Sequence, residues 1–174
     1  MAADHGPEEA ARRYRATVVT TLRQLRGLAE MRLRLVISPA DGHEAVRFWL
    51  LPRLADAWRC EHSVFYSTGW QIDFGGETHG FAAIAHGEIL CPNLGARWVH
   101  TAMLGLGIST HCVSGPAESG GEYFRAYSAT APMGNETKVL PALPIIRSSR
   151  HWDDALASPL GPALKRAWEE EKDR

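Results

Sequence analysis

The sequence predicts a single α/β domain over residues 1–174, a mostly parallel sheet flanked by helices in three layers. Two observations carry this expectation. Segments with helical spacing of apolar residues alternate with short apolar runs that read as strands, the order that parallel strands joined by crossover helices produce. The composition is that of a globular chain able to bury a core, with 174 residues, 45% hydrophobic and 22% charged. No internal repeat, low-complexity stretch or linker is visible in it.

The first element is a helix. Ala11, Tyr14, Val18, Leu22, Leu25 and Leu28 recur at steps of three and four on one face, and Arg12, Arg13, Arg15, Arg23 and Arg26 fall elsewhere. Gly6 and Pro7 suit its cap and first turn, and Glu8 and Glu9 favour its positive end. Met31 to Ile37 reads as a strand that Ser38-Pro39 ends, because proline has no N–H for a ladder. Asp41 and Glu44 have the spacing of a capping box. The helix they open buries Val46, Trp49 and Leu50 and stops near Pro52, with Leu54, Ala57 and Trp58 suggesting one more short turn. His62 to Ser67 and Gly69 to Phe74 read as strands, Gly75-Gly76 as a loop, and Phe81 to Ala85 as a buried strand. Cys91-Pro92-Asn93 leads into a helix with Leu94, Trp98, Ala102, Met103 and Leu106 on its apolar face, stopped at Gly105 and Gly107. Ile108 to Val113, Glu122 to Tyr127 and Leu143 to Ile146 complete the strands. Gly161 to Lys172 is a closing helix, with Leu164, Ala167 and Trp168 inward and Glu169 to Glu171 as a solvated face.

Charge excludes some partners. Nineteen basic and 20 acidic residues leave a net charge of -1, without the basic excess that nucleic-acid binding uses. Cys60, Cys91 and Cys112 are odd in number and lack metal or redox spacing, which fits reduced thiols in a reducing compartment. The polar start, Met1 to Glu9, has no apolar core of a signal peptide, and no run approaches the roughly 18 apolar residues of a membrane span. A cytoplasmic location is the resulting expectation.

Several chemical motifs are absent: a phosphate loop ending in Lys-Ser/Thr, and a G-x-S-x-G elbow. Gly105-Leu106-Gly107 is a fragment of a dinucleotide fingerprint at a helix end, where it reads as a cap. His79 and His86 with Glu77 and Glu88, and His111-Cys112 with His100, match no zinc spacing. Neighbours in a strand also point to opposite faces, so His111 and Cys112 are poorly placed to share an ion. The stretch Gly115-Pro116-Ala117-Glu118-Ser119-Gly120-Gly121-Glu122-Tyr123-Phe124 is more informative. Its glycines let backbone approach a ligand and turn N–H groups toward an anion, and Glu118 and Glu122 can hold a cation or a sugar hydroxyl. Equally, it can be a glycine-rich turn between strands with exposed glutamates.

G-P-A-E-S-G-G-E-Y-F resembles the G-P-A-x-D-G-G-Y-Y motif of a small bacterial glycosyltransferase-like family with the GT-A nucleotide-diphospho-sugar transferase fold. The resemblance continues in order. Tyr14 to Leu28 is similar to the family's first helix, Leu33 to Pro39-Ala40-Asp41 to its second strand and P-A-D turn, Cys91-Pro92-Asn93-Leu94 to its D-C-P-x-L motif, and Leu143 to Ala155 to its closing L-x-D-V-D-T-x-x-D-L. It implies transfer of a glycosyl or related group from a nucleotide-sugar donor, with Mg²⁺ or Mn²⁺ at the diphosphate. Glu118 and Glu122 would be the catalytic carboxylates. Glu88, Cys91, Pro92, Asn93, Gly115, Ser119, Gly120, Gly121 and Arg150 would bind substrate. No metal ligand set is assigned.

The sequence departs from this pattern where the family is acidic. The acid before Cys-Pro is Leu90, that of D-G-G is Ser119, and those of D-V-D are Ser148 and Arg150. Leu90 cannot ligate a hard cation and Arg150 repels one, though Arg150 can pair with phosphate. Glu88 is a candidate substitute. The family's opening strand and basic loop have no counterpart, and its G-D-L-G-E-R-M helix shortens to Gly75 through Gly80. Loss of a central strand would leave two open edges, which predicts a rearranged sheet or a homodimer that completes it. Two functions follow as expectations: a transferase, or a catalytically inactive homologue that binds a ligand, a partner or itself. A metal-dependent hydrolase built on the histidines is a more distant third.

Overall fold

The N-terminal helix, α1 (Pro7–Leu25), buries Ala16, Val18, Val19, Leu22 and Leu25. The computed structural model describes residues 6–26, 32–35, 40–59, 71–73, 83–107, 109–128 and 136–172. Three threonines share the buried face of α1, and each hydroxyl donates to the carbonyl four residues back: Thr17 to Arg13, Thr20 to Ala16 and Thr21 to Thr17. That satisfies polar atoms which would otherwise be costly to bury. Tyr14, expected inside, is 45% exposed.

The chain divides into two compact units: Met1–Leu25 with Phe81–Arg174, and Arg26–Gly80. In the smaller unit, β1 (Arg32–Arg34) pairs in parallel with β2 (Gln71–Asp73), with Leu33 opposite Ile72. A 3-10 turn, Ala40–Gly42, precedes α2 (His43–Arg59). Asp41 lies inside that turn rather than ahead of the helix as its cap. The expected stop near Pro52 is corrected, because α2 continues through Pro52 to Arg59. Proline forfeits one helical hydrogen bond, but Leu50 and Leu54, on either side of it, are fully buried and anchor both halves. The strand expected over His62 to Ser67 and the loop Gly75-Gly76 lie outside the described residues.

In the larger unit, β3 (Ala83–Gly87), β4 (Thr110–Pro116), β5 (Glu122–Ser128) and β6 (Glu136–Val139) form a sheet in the order β3-β5-β4-β6. β5 runs antiparallel to both β3 and β4, and β6 runs parallel to β4. The sheet is mixed, so the expectation of mostly parallel strands does not describe it. Its antiparallel centre follows from the short turn between β4 and β5, since parallel strands need a long crossover. Val113, Gly115, Phe124 and Ala126 face one another across β4 and β5 and are buried. β3 was expected to be buried, yet Ala85, His86 and Gly87 are exposed because β3 is an edge of this sheet.

Between β3 and β4 runs α3 (Ala96–Leu104), which buries Val99 and Ala102. After β6 come α4 (Ser149–Leu156) and α5 (Gly161–Glu170). Leu143 to Ile146 is not a strand, since Leu143 makes one isolated bridge to Ala117 and the residues after it turn toward α4. Packed against α1 is α5, and of its acidic end only Glu169 is exposed as expected. Glu171 is 6% exposed and accepts from Arg15 Nε at 2.8 Å. Arg23 pairs with Glu170 at 3.0 Å, and Trp168 Nε1 donates to Glu9 at 3.1 Å. Burial raises the Glu9 carboxyl's pKa, but its bonds to Arg13 and Trp168 and the charges of Arg12 and Arg13 together hold it below the ordinary value. No helix among the described residues is long and apolar enough to cross a membrane.

Candidate functional site

Three segments distant in sequence meet at one cavity of about 150 Å³ in the larger unit. The Cys-Pro-Asn turn contributes Asn93, the glycine loop Glu118 and Ser119, and the run into α4 Pro144 and Ile145. His151, Asp154, Ala155 and Ser158, from α4 and the turn after it, complete the wall.

Local chemistry places each part. In the β4–β5 turn, Ala117 N–H donates to Gly121 O at 2.9 Å and Gly120 N–H to Ala117 O at 3.0 Å. Gly120 and Gly121 sit at φ +90° and +80°, which side chains with a Cβ resist. Glu118 N–H donates to Leu143 O at 3.0 Å and Leu143 N–H to Pro116 O at 3.2 Å, lacing the loop to the segment beneath it. Register shifts between Gly115 and Pro116, which face Phe124 and Glu122, so Tyr123 is the extra residue of a bulge. Tyr123 and Phe124 are consequently both buried. A Cβ on Gly115 would lie 2.6 Å from Tyr123 Cζ, so that glycine is a packing requirement. The Tyr123 hydroxyl donates to Pro141 O at 3.0 Å, and burial pushes its pKa up to about 12.

The Cys-Pro-Asn turn is held from two sides. Glu88 N–H donates to Tyr123 O at 2.8 Å, and Ile146 N–H to Leu90 O at 2.9 Å. Cys91 is fully buried, and burial pushes its thiol up to about 11, which suits an inert packing group rather than a nucleophile. Cys91 and Cys112 are free. α4 begins at Ser148, whose hydroxyl accepts from His151 N at 3.2 Å as an N-cap. Trp152, 1% exposed, anchors the inner face of α4 beneath the Arg13 guanidinium.

Of the residues singled out from the sequence, Asn93, Glu118 and Ser119 line the cavity. Cys91, Pro92, Gly115, Gly120 and Gly121 shape the turns around it. Glu88 stands in an ion pair with Arg147 at 3.1 Å. Arg150 is exposed on the first turn of α4. Glu122 does not line the cavity, but accepts from Ser114 Oγ at 2.6 Å and pairs with Arg125 at 2.9 Å on the sheet's exposed face. Those bonds to Ser114 and Arg125 hold its carboxyl below the ordinary range. Pro144, Ile145, His151, Asp154, Ala155 and Ser158 were not anticipated. The available signal was Ser148 followed by a polar-apolar helical pattern, which reads as a capped helix once Leu143 to Ile146 is not forced into a strand.

A divalent ion at a diphosphate needs several hard oxygen ligands. Among the described residues, no group of three His, Cys, Asp or Glu side chains is placed to hold a metal ion. With Glu88 and Glu122 each engaged by an arginine, these residues do not fit a carboxylate-held cation.

No protein-family model matches the chain, and no curated protein matches it in sequence. Among solved structures, it is similar in fold to the "putative nucleotide-diphospho-sugar transferase" of Desulfovibrio desulfuricans G20, at a TM-score of 0.56 and 17% identity. The match covers 95% of this chain and 89% of that one. The likeness is one of fold: a mixed α/β architecture similar to that of the solved structure.

Proposed function

We propose that residues 1–174 form one glycosyltransferase-like domain that binds a nucleotide-linked sugar and transfers its glycosyl or a related group. The convergence of the Cys-Pro-Asn turn, the glycine loop and the α4 segment on one cavity carries this reading. Those are three of the stretches whose sequence resembles the same transferase family. The fold likeness supports the class of protein and leaves donor and acceptor to experiment. In this reading Glu118, Asn93 and Ser119 contact the ligand directly. The turn residues Cys91, Pro92, Gly120 and Gly121 hold them in place. Glu88, paired with Arg147, sets the spacing between the Cys-Pro-Asn turn and α4.

The test is isothermal titration of the full chain with UDP-, GDP-, CMP- and dTDP-sugars, each with and without Mn²⁺. Binding of one donor class is expected, and Glu118→Gln weakens it tenfold or more, the scale of one lost hydrogen bond to a charged group. A requirement for Mn²⁺ would mean that carboxylates beyond those described above complete a metal site. Absence of heat with every donor would defeat the reading and favour an inactive homologue that binds a partner or itself.

A further inference from the structure

The lining of this cavity is chemically one-sided. Its polar side chains are Asn93, Glu118, Ser119, His151, Asp154 and Ser158. Two are carboxylates and none is lysine or arginine. Phosphate or another anion would meet two like charges there and no guanidinium or ammonium to pair with. Arg147 is committed to Glu88.

The donors and acceptors suit another chemistry. Arg147 N–H, shared with Ile145 O at 3.1 Å, points to His151 Nδ1 at 3.4 Å, an arrangement that favours the tautomer with its proton on Nε2. The His151 backbone N–H donates to Ser148 Oγ, which fixes the turn that carries the ring. Glu118 and Asp154 are acceptors, Asn93 supplies both functions, and the Ser119 hydroxyl adapts to either, while Ser158 Oγ is held in its own turn by Ala155 O and Leu160 N–H. Pro144 and Ile145 add an apolar surface. A hydroxyl-rich ring presents this alternation, with O–H groups that donate to carboxylates and accept from N–H, and C–H faces that rest on apolar carbon. Size agrees. The cavity, about 150 Å³, is below the ~300–1,000 Å³ of sites that enclose drug-sized ligands, so it takes one ring rather than a whole nucleotide sugar.

We infer that this cavity binds a non-anionic, hydroxyl-rich group of monosaccharide size, with Asp154 and His151 joining Glu118 as its specificity-determining contacts. The inference rests on the reading above of this cavity as the ligand site. It adds that the phosphates of a nucleotide sugar lie outside the cavity.

The experiment is amide chemical-shift mapping on the ¹⁵N-labelled full chain. Probes are the methyl glycosides of glucose, galactose, mannose and N-acetylglucosamine, then sodium pyrophosphate, then each nucleotide sugar beside its bare nucleotide. At least one glycoside is expected to move Ser119, Gly120, His151 and Asp154, and pyrophosphate to leave them unmoved. Asp154→Asn and Glu118→Gln, both at exposed positions, should lower glycoside affinity at least fivefold with the remaining spectrum unchanged. If either variant fails to fold, the wild-type map decides alone. Pyrophosphate moving these amides overturns the inference. So does binding of a nucleotide sugar with no difference from its bare nucleotide at the cavity, which would leave the transferase-like reading standing. Glycoside shifts without any nucleotide-sugar binding would defeat that reading and keep the inference.

Discussion

The two ends of the glycine loop do different work. At one end Glu118 is exposed on a cavity wall, its backbone laced to Leu143. At the other, four residues on, Glu122 is held against the exposed sheet face by Ser114 and Arg125. Both glutamates look alike in sequence, each beside a glycine or serine in one motif. The turn between them, closed by Ala117 N–H to Gly121 O, separates them. Glu122, on β5, is still paired with Pro116, whereas Glu118, inside the turn, donates its N–H to Leu143 O in the segment that leads into α4. Proximity in a motif therefore does not assign a shared role; the place in the turn or on the strand does.

The bulge at Tyr123, next to that turn, is the place to break this contrast hardest. Gly115→Ala puts a methyl 2.6 Å from the buried Tyr123 ring, which cannot retreat without moving the bulge. Overpacking of this kind costs about 1–3 kcal/mol. Each kcal/mol lowers Tm by roughly 2–4 °C in a chain of this length. Thermal melting followed by circular dichroism reads the loss, and a Tm equal to wild type would show that the ring is free to move and that the bulge does not fix the loop.

A smaller effect tests the opposite wall. Ser148→Ala removes the cap that holds His151 N–H and should cost about 1 kcal/mol. Because His151 lines the cavity, ligand affinity should fall alongside Tm. A fall in Tm with unchanged affinity would separate helix capping from the site.

What the sequence made legible follows from where periodic signals are strong. α1 and α5 were readable because their apolar residues repeat over many turns and their ends carry a proline or acids in the expected places. β5 was readable for its aromatic residues, Tyr123, Phe124 and Tyr127. β6, Glu136–Val139, was missed because all four residues are exposed and show no apolar face. α4 was missed because Leu143 to Ile146 imitates a strand, although Ile145 and Ile146 are buried by the turn into the helix. The site was half legible. Asn93, Glu118 and Ser119 stand in recognisable motifs, whereas His151 and Asp154 lie on a helix whose existence had to be known first. Glu171 shows the same limit, since only the position of Arg15 on α1 explains its burial.

The mildest test returns to the paired glutamates and asks whether pH divides them. The Glu122 carboxyl titrates below its ordinary value of 4.5 because Ser114 and Arg125 stabilise the ionised form. A lowered folded-state pKa contributes stability that is present above the unfolded value and lost as pH falls through the folded one. Glu122→Gln should therefore melt below wild type at pH 7 and converge with it as the pH falls below the ordinary carboxylate value of 4.5 and through the lowered folded one. The gap is small, under about 1 kcal/mol, because the group is exposed and screened by solvent, and added salt should narrow it further. Glu118→Gln is the matched control. Its side chain is exposed, so stability at pH 7 should change by no more than about 0.5 kcal/mol while ligand affinity falls about tenfold or more. A reversed outcome, with Glu122→Gln abolishing binding at full stability, would move the site from the cavity to the sheet face.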